Sequence, residues 1–490
     1  MFARNTHMKP LQRHVAASSF YHLAGKTLDG CACNGLACFA ARADDPVRWA
    51  TASRQAVPVY CLGKCYASPA DADHDVRPYV ASHSRGSVLL ENVRHGGVRA
   101  LAEYQRRGGG AARLAALAMA PADVVRLVQA SQLRGRGGAG FPAGRKWQAM
   151  AAQAAPRKYL VVNADEGDPG AFSDRFLLED DPFRLIEAAI IAAHATGATH
   201  GYIYLRKEYP AAAAVLARAL DEARAARWLG AAFDLECVIG EGSYLCGEET
   251  ALLNALEGRR PEVRLRPPQL TECGLYGLPT LVQNVETLCA VPWIVANGAH
   301  AYAALGFSQS RGTKLLSLNS LFNRPGLYEV EFGMPLAAVV DELGLGLRRG
   351  RLAGVMVGGP LAGIVPPPLL GTRLGYEEMQ AIGCAVGHGG VIAFADDTPL
   401  AAIVAEVFRF GARESCGKCT PCHLGTPRLA ALFGAVQSGT GRAGTGEMAQ
   451  CDALLDALEA TSLCGHGRGL AEFARAVQLH YPGEWSAWLG

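Results

Sequence analysis

Apolar and polar positions alternate in blocks along the middle of the chain, and the blocks predict strands and helices in turn. Residues 159–162 form a short apolar run that predicts a buried strand, and residues 202–205 predict another. Residues 183–198 predict a buried helix, and the alanine-rich residues 211–229 predict an amphipathic one. Strands that alternate with helices are typical of an α/β layer that binds ligands where its strands end.

The pattern changes in the last third of the chain. Between residues 313 and 368, short β-like runs are separated by glycine turns, and residues 391–394 predict one more strand. A helical pattern then begins at residue 399 and returns over residues 455–458 and 473–479. We therefore predict a small α+β unit followed by a helical unit.

Composition and charge narrow the class of protein. The chain has 490 residues and a formal net charge of +2, which gives no reason to expect nucleic acid or an acidic membrane surface as a partner. No apolar run reaches the ~18 residues that span a bilayer. Residues 1–14 lack the apolar core of a secretory signal. We expect a cytoplasmic protein of about three or four domains.

Fifteen cysteines argue for metal chemistry rather than disulfides, because the cytosol keeps thiols reduced. Cys416, Cys419 and Cys422 follow the pattern C-x2-C-x2-C, and Cys464 lies further along the chain. Three closely spaced thiolates and one distant thiolate are typical of a [4Fe–4S] cluster. Zinc is the alternative, although it rarely needs three cysteines so close together.

A second group of cysteines stands near the N-terminus, where C-x4-C is followed by C-x3-C. Its members are Cys33, Cys38, Cys61 and Cys65. Four thiolates on two loops suit a [2Fe–2S] cluster, with structural zinc as the alternative. Cys31 lies close enough in sequence to compete as a ligand.

Residues 133–147 read L-R-G-R-G-G-A-G-F-P-A-G-R-K-W and contain five glycines. Glycines at this density do not stabilise a helix or strand, because each one costs backbone entropy. Bare backbone instead suits close approach to a flat or phosphorylated ligand, and the arginines and aromatic rings here favour anion binding and stacking. The segment matches neither G-x-G-x-x-G after a clear strand nor the P-loop pattern. A flexible Gly/Arg-rich linker is the alternative.

Two further segments combine carboxylates with glycines. Residues 163–170 (N-A-D-E-G-D-P-G) follow the first predicted strand, and residues 240–250 (G-E-G-S-Y-L-C-G-E-E-T) open a helix. The helix dipole favours acidic side chains at a helix start, so capping alone explains Glu248 and Glu249, and capping of the next helix is likewise the alternative for the carboxylates of residues 163–170. Carboxylates also accept hydrogen bonds from ribose hydroxyls and repel a 2′-phosphate, which is what a dinucleotide site for NAD requires.

Taken together, residues 133–147, 163–170, 240–250 and 278–288 resemble the flavoprotein subunit of complex I-type NADH dehydrogenases. That family includes the diaphorase subunit of NAD-reducing hydrogenases and the β subunit of NAD-dependent formate dehydrogenases. The resemblance runs from about residue 100 to the end. The spacing of the N-terminal cysteines resembles the thioredoxin-like ferredoxin domain of the same enzymes.

The resemblance implies an α/β multidomain fold. The predicted parts are a disordered tail (1–20), a thioredoxin-like [2Fe–2S] domain (21–95), a Rossmann-like FMN- and NAD-binding domain (96–310), a β-grasp-like domain of the SLBB type (311–396) and a helical-bundle [4Fe–4S] domain (397–490).

The resemblance also implies the cofactors FMN, NAD(H), [4Fe–4S] and [2Fe–2S], and the residues that bind them. Glu249 would hold NADH, and Phe141 would stack on adenine. Hydride transfer needs no general acid or base, so we expect no catalytic side chain, with Glu166 and Glu249 as positioning groups. The implied cofactor-binding residues are Gly135, Arg136, Gly137, Gly138, Ala139, Phe141, Lys146, Asn163, Asp165, Glu166, Tyr244, Gly247, Glu248, Glu249, Arg266, Val282, Gln283, Asn284 and Thr287.

Four positions depart from the family pattern. Ala149 and Gln269 stand where the family has Phe, Gln283 stands where Asn is usual, and Arg266 replaces Lys. The loss of two aromatic faces costs ~1–3 kcal/mol of nucleotide affinity. Glu249 is retained, so we predict NAD rather than NADP.

We predict a diaphorase that exchanges hydride between NAD(H) and FMN and passes single electrons through its clusters. Residues 204–210 and the fused N-terminal cluster segment resemble the formate dehydrogenase branch most. The partners would then be a small iron–sulfur subunit and a molybdenum or tungsten subunit, with no nucleic acid and no direct membrane span. Complex I, where such a subunit is peripheral to the membrane, and NAD-reducing hydrogenase stay open. A non-catalytic electron-relay subunit is the alternative of another class.

Overall fold

Two five-stranded sheets organise the part of the chain that the computed structural model describes, residues 8–10, 20–439 and 445–489. The strands are β1 (Met8–Pro10), β2 (Tyr79–Ser82), β3 (Tyr159–Ala164), β4 (His200–Leu205), β5 (Asp234–Ile239), β6 (Thr280–Asn284), β7 (Gly306–Phe307), β8 (Ser310–Arg311), β9 (Thr313–Leu318), β10 (Gly326–Glu331), β11 (Leu352–Val357) and β12 (Gly390–Ala395).

Helices cover both sheets and form the C-terminal part of the described chain. They are α1 (Leu36–Ala40), α2 (Pro46–Arg54), α3 (Glu91–Arg94), α4 (Leu101–Arg106), α5 (Ala111–Leu117), α6 (Pro121–Ala130), α7 (Ala143–Ala151), α8 (Ser173–Asp180), α9 (Pro182–Thr196), α10 (Pro210–Ala225), α11 (Glu249–Leu256), α12 (Val285–Cys289), α13 (Val291–Asn297), α14 (Ala299–Ala303), α15 (Leu336–Ala338), α16 (Tyr376–Ala381), α17 (Leu400–Arg413), α18 (Thr420–Ser438), α19 (Thr445–Thr461), α20 (Gly465–His480) and α21 (Pro482–Leu489).

The first sheet is parallel throughout, in the order β1–β5–β4–β3–β6. Alternate side chains of β3 point to opposite faces. Leu160 and Val162 join the larger core with α9, whereas Tyr159 and Val161 pack with α11. A strand covered on both faces needs apolar side chains at every position, which explains the unbroken apolar run in this segment. The predicted α/β layer is therefore present.

The second sheet is mixed, in the order β11–β12–β9–β10–β2. β9 pairs antiparallel with β10 and parallel with β12, while β2 pairs parallel with β10. Tyr79 of β2 is in register with Gly326 of β10. The predicted small α+β unit is present, but its sheet takes an edge strand from the N-terminal segment.

The thioredoxin-like sheet that the cysteine spacing predicts is absent from the described residues 20–95. These residues form α1, α2 and α3 around a single strand, β2, which belongs to the second sheet. The loops that carry the cysteines are joined by isolated bridges, Cys33 to Val59 and Ala32 to Asp71. The interval between the two cysteine pairs holds only the short helix α2, which leaves no chain for further strands. The prediction of a separate thioredoxin-like fold is wrong on this point.

The predicted disordered tail, residues 1–20, lies mostly outside the described residues. Residues 8–10 are described and form β1, which pairs with residues 237–239 of β5. Phe20 is buried, and the Arg260 guanidinium lies 4.9 Å from the centre of its ring. At these two points the prediction of an unstructured tail is wrong.

The C-terminal helices α17–α21 pack around an aromatic core. The rings of Phe408 and Phe433 are stacked with centres 5.0 Å apart, and Phe473 and Trp485 pack against them. This arrangement agrees with the predicted helical unit. No described helix is both long enough and apolar enough to cross a membrane.

Candidate functional site

The four predicted ligand-binding segments meet at one edge of the parallel sheet. β3 leads into the loop before α8, β5 leads into the loop before α11, and β6 leads directly into α12. Parallel strands end at the same edge, so these segments are neighbours. Asn163 Nδ2 donates to the Gly247 carbonyl at 2.8 Å, and Asn163 pairs in register with Asn284. A Cβ on Gly137 would lie 3.2 Å from the Cβ of Asn284.

The glycine-rich segment forms an ordered loop before α7 rather than a flexible linker. The Arg136 N–H donates to Thr287 Oγ1 at 2.8 Å, and the Gly135 N–H donates to the Phe141 carbonyl at 2.8 Å. Gly138 has a φ of +120°, which side chains rarely allow. A Cβ at Gly135 or Gly138 would make only ordinary van der Waals contacts, the nearest at 3.6 Å and 3.9 Å, and both positions are half-exposed, so the bare backbone there is uncrowded and accessible. The loop therefore forms a cradle of the kind that nucleotides need.

The side chains of this loop divide into exposed and buried ones. Gly137, Ala139 and Phe141 are exposed, and Phe141 retains 48% of its accessible surface. Arg136 is 1% exposed, and its guanidinium donates to Tyr302 Oη and to the Arg311 carbonyl. The predicted cofactor contact of Arg136 is therefore limited to its backbone.

The acidic loop after β3 contains an unsatisfied carboxylate. Asp165 Oδ2 is buried and has no hydrogen-bond partner among the described residues. Burial raises the pKa of Asp165 well above its usual range. A buried polar atom without a partner is costly. A polar ligand at this loop would supply the missing partner.

Glu166, the next residue, makes its hydrogen bonds within the protein. Its carboxylate accepts hydrogen bonds from Ser173 Oγ, the Asp174 N–H, the Arg175 N–H and Tyr209 Oη at 2.9–3.1 Å. Three of these donors open α8, so Glu166 caps that helix. Its oxygens are thus used within the protein, and its role as a positioning group for the ligands stays a prediction.

The start of α11 carries both carboxylates of the predicted acidic pair. Glu248 caps the helix, because its Oε2 accepts from the Thr250 and Ala251 N–H groups at 2.8 and 2.9 Å. Glu249 instead pairs with Lys146 Nζ and lies 3.4 Å from Arg266 Nη2. Capping thus explains one member of the pair, and the other is held half-exposed between two cations.

The β6–α12 junction holds the remaining predicted residues. Val282 and Gln283 are buried in β6, and the Val282 carbonyl accepts from Lys146 Nζ at 3.2 Å. Asn284 caps α12 by accepting from the Thr287 N–H at 3.0 Å. Val282, Asn284 and Thr287 thus contact the lysine and the backbone of the glycine-rich segment, although no spacing signal indicates these contacts.

The C-terminal cysteines converge where two helices begin. Cys422 lies in the first turn of α18, and Cys464 directly precedes α20. Cys416 and Cys422 are buried, while Cys419 and Cys464 are half-buried. Burial raises the pKa of Cys422 to about 12 and that of Cys464 to about 11. Thiolates in such surroundings need a bound cation to offset their charge.

The N-terminal cysteines form a tighter group. Cys61 Sγ and Cys65 Sγ are 3.2 Å apart, and the Cys33 thiol interacts with those of Cys38 and Cys61. The sulfur atoms also accept backbone N–H bonds at 3.3–3.4 Å. These donors are Gly35 to Cys33, Gly63 to Cys61 and Ala70 to Cys38.

Tyr244 connects the nucleotide loops with the C-terminal cysteines. Its hydroxyl donates to Asp168 Oδ1 at 2.6 Å, and its N–H donates to Glu414 Oε2 at 3.0 Å, two residues before Cys416. Its ring centre is 5.8 Å from that of His466, two residues after Cys464. The loop before α11 is thus shared by the two sites.

The small α+β unit that contains the second sheet, called the second unit below, also contributes to this site, which the sequence did not predict. Its Gly359 lies so close to Asp168 that an added Cβ would meet the carboxyl at 3.0 Å. A Cβ on Gly390 would meet the Gly170 backbone at 2.7 Å, and one on Gly138 would lie 3.9 Å from Gly387. The predicted spacer therefore forms one wall of the site.

Comparison with known proteins agrees with this geometry. A Nuo51 FMN-binding domain matches residues 128–293, which contain all four nucleotide segments. An NADH-ubiquinone oxidoreductase-F iron–sulfur binding region matches residues 402–488, which contain the C-terminal cysteines. The F 2 subunit of the NADH-quinone oxidoreductase of Rhizobium meliloti is 38% identical over 409 residues, 82% of this chain and 97% of that relative.

The chain belongs to the family of F subunits of NADH-quinone oxidoreductase.

Other members of the same group include a hydrogenase component. The NADP-reducing hydrogenase subunit HndC of Solidesulfovibrio fructosivorans is 39% identical over 360 residues, 72% of this chain and 73% of that protein. Among solved structures, an air-oxidised NAD+-reducing [NiFe]-hydrogenase matches with a TM-score of 0.80 and 30% identity, covering 97% of this chain and 88% of the other. The H2-reduced form matches with a TM-score of 0.73 and 36% identity, covering 84% and 68%.

Membership in this family confirms the predicted cofactors FMN, NAD(H) and [4Fe–4S], and the NADH dehydrogenase class of activity. The open glycine backbone, the unpaired Asp165 oxygen and the four converging C-terminal thiols fit these groups. Cys33, Cys38, Cys61 and Cys65 lie outside both matched regions, so their [2Fe–2S] cluster stays a prediction.

Proposed function

We propose that this protein is the subunit of a multisubunit redox complex that exchanges hydride between NAD(H) and FMN, with both bound against the glycine-rich loop. FMN supplies the conversion between two-electron hydride chemistry and one-electron transfer. The protein's part is to hold the ligands and place an electron acceptor beside them. No side chain need donate or accept a proton in that step.

The observation that carries the proposal is the position of Tyr244. Through Asp168 and Glu414 it joins the acidic loop to the segment that begins the C-terminal cysteine motif. Arg260 adds a second link, because its Nη2 donates to the Cys416 carbonyl at 3.1 Å. A cluster held by Cys416, Cys419, Cys422 and Cys464 would therefore lie next to the nucleotide site.

The test is a direct assay of the isolated protein. We expect bound FMN, iron and acid-labile sulfide, and reduction of ferricyanide by NADH. A protein that contains iron but neither binds flavin nor reduces ferricyanide would support the relay-only alternative. A protein that lacks both flavin and iron would overturn the proposal.

Glu249 is proposed to select NADH over NADPH. The carboxylate lies between Lys146 and Arg266, so its removal would leave two cations that attract a 2′-phosphate. We expect Glu249→Gln to lower the KM for NADPH about tenfold, or ~1.4 kcal/mol. Steady-state kinetics with both nucleotides measures this, and Glu272→Gln, an exposed change outside the site, is the control. An unchanged NADPH KM would contradict the role.

The N-terminal cysteines are proposed to hold a [2Fe–2S] cluster. Four buried thiols in contact, with backbone N–H groups aimed at three of the sulfurs, support this assignment. N–H donors of this kind also tune the potential of an iron–sulfur cluster.

The remaining question is which enzyme the protein serves. Formate dehydrogenase is the proposal from the resemblance of residues 204–210 and the N-terminal cysteine segment, and quinone reductase or hydrogenase are the alternatives. Purification of the complex from its source, followed by metal analysis, separates them. Molybdenum or tungsten supports formate oxidation, nickel supports hydrogen oxidation, and the absence of all three favours quinone reduction.

A further inference from the structure

A buried histidine of the second unit reaches the loops of the nucleotide site. His388 lies in the turn between Gly387 and Gly389 that leads into β12, and it is 6% exposed. Its Nε2 is 3.1 Å from Asp174 Oδ2, and its Nδ1 is 3.4 Å from Glu166 Oε1. Within the described chain, these three residues are the only group of Asp, Glu, His or Cys whose ligand atoms all lie within 4.8 Å of one another.

The contacts favour a shared proton rather than a metal ion between these groups. A separation of 3.1 Å between Nε2 and Oδ2 is a hydrogen-bond distance and leaves no room for a cation. The Glu166 oxygens already accept four protein donors. In a protonated imidazole both ring nitrogens carry a donor: Nε2 is at hydrogen-bond distance from Asp174, and Nδ1 faces Glu166 as an ion pair without hydrogen-bond geometry.

The charges around His388 favour its cationic form. Burial opposes the charge, but Asp174 and then Glu166 raise the pKa of His388 to about 9, with Lys314 of β9 acting in the opposite direction. Asp168 is a further acidic neighbour, whose pKa is raised by burial and to which His388 contributes in the opposite direction. The two carboxylates beside His388 therefore favour the imidazolium at neutral pH. The stabilisation that this charge gives the folded protein is complete below the ordinary histidine pKa of about 6.5 and is lost as the pH rises through about 9.

A short chain of hydrogen bonds connects this cation to the glycine-rich loop. Asp174 Oδ2 faces His388 Nε2 and also accepts from Asn284 Nδ2 at 2.7 Å, so the link runs through this carboxylate. Asn284 Nδ2 and His388 Nε2 are 3.2 Å apart, but both are donors in the imidazolium and do not bond to each other. Asn284 Oδ1 accepts from the Thr287 N–H, and Thr287 Oγ1 accepts from the Arg136 N–H. Each of these hydrogen bonds involves a buried or half-buried polar group, so a change at His388 alters the geometry of the glycine-rich loop.

We propose that His388 is a positioning residue for the flavin site, an imidazolium clamp between Glu166 and Asp174 that keeps Asn284 and the glycine-rich loop in binding geometry. The inference rests on the proposed placement of FMN in this site. It assigns a role to the second unit, which supplies a cation between the side chains of Glu166 and Asp174.

The first test measures FMN retention by the wild-type protein as a function of pH. The fluorescence of the released flavin reports how much FMN has dissociated. We expect a constant dissociation constant for FMN up to about pH 9 and a rise of up to about tenfold per pH unit above it, as the loss of one proton requires. A dissociation constant without a change of slope near pH 9 would overturn the clamp.

Two substitutions at the same position separate charge from shape. His388→Gln removes the charge, so we expect FMN to bind about tenfold more weakly at pH 7, with little change up to pH 10. His388→Lys keeps a cation and should recover most of the affinity, with the pH-dependent loss moved upward. His194→Gln is the control, because His194 lies on α9 and contacts the Met119 carbonyl instead. Equal affinity and equal pH profiles for wild type and His388→Gln would count against the proposal.

A third measurement keeps this inference separate from the proposed function. If the wild-type protein binds no FMN at all, the proposed function fails, but thermal unfolding of the flavin-free protein still tests the clamp. Its melting temperature should fall as the pH rises through 9, and this fall should be missing in His388→Gln. Stoichiometric metal in the wild type that is lost in His388→Gln would show that an ion, not a proton, joins the carboxylates.

Discussion

The two groups of cysteines differ in how the protein encloses them. Cys33, Cys38, Cys61 and Cys65 are each 0–2% exposed. In the C-terminal group, two members are only half-buried and lie next to helix starts. The C-terminal group thus has the sequence spacing that is more specific for a cluster, although its cysteines are more exposed to solvent. Spacing in sequence reports which cluster type the ligands suit, whereas enclosure decides how the cluster meets solvent and partners.

Two buried arginines hold the loops of the N-terminal group, Arg206 directly after β4 and Arg175 in α8. Arg206 Nη2 donates to the Cys61 carbonyl at 2.6 Å and Nη1 donates to the Glu166 carbonyl, so one guanidinium holds the cysteine loop against the acidic loop. Arg175 Nη1 donates to the Gly63 carbonyl at 3.1 Å. The C-terminal group is held by the Arg260 bond to the Cys416 carbonyl and by the partly exposed pair Lys418–Glu262, which contributes little. This contrast predicts different sensitivities for the two clusters.

The largest expected effect is the loss of the C-terminal cluster on Cys419→Ser. Because a cubane needs a thiolate at each corner, we expect the loss of about four iron atoms per chain with FMN retained. Iron analysis and electron paramagnetic resonance measure this. Cys451→Ser, at a buried cysteine outside both groups, is the control. A full complement of iron in Cys419→Ser would contradict the assigned ligands.

A smaller loss is expected for Cys61→Ser, because the N-terminal group is predicted to hold two irons. The C-terminal signal should remain, since no ligand of that group is touched.

Cys31→Ser tests the competing ligand. Cys31 is only half-buried, and the four-thiol group is complete without it, so the iron content of the Cys31→Ser variant should equal that of wild type. Loss of the same signal in both variants would mean that Cys31 belongs to the ligand set.

The smallest effect is one of rate rather than of content. Oxidants and chelators reach exposed thiolates first, so the C-terminal cluster should decay about tenfold faster than the N-terminal one in EDTA and ferricyanide. Portions of one sample, taken over time and reduced with dithionite before recording, show the two electron paramagnetic resonance signals and give both rates under identical conditions. Faster decay of the N-terminal signal would reverse the comparison.

Much of the fold was predictable, because the strands that matter most are buried on both faces. The apolar run of β3 and the helix over Pro182–Thr196 carry strong patterns, and both were found close to the expected residues. β5 was missed, because Asp234 and Glu236 interrupt its apolar residues. β2 was not predictable either, since its pairing with β10 joins residues far apart in sequence and leaves no local signal.

The candidate site was predictable where it depends on motifs and unpredictable where it depends on packing. The glycines and cysteines stand in fixed spacings, so their segments could be found from the sequence alone. The burial of the Arg136 guanidinium follows from neighbours that only the tertiary structure supplies. Capping by the carboxylates of residues 163–170 was an alternative from the sequence, and the structure shows that Glu166 is the one that accepts from the first N–H groups of α8. His388 stands alone between two glycines, and no pattern marks it.

The place of β2 at the end of the second sheet has a practical consequence. A version of this protein shortened to start near residue 96 would expose the backbone of β10, whose N–H and carbonyl groups now bond to residues 79–82. Open strand edges recruit other chains and aggregate. The first hundred residues therefore shield the rest from self-association, and expression of the flavin-binding part alone requires a replacement for that shield.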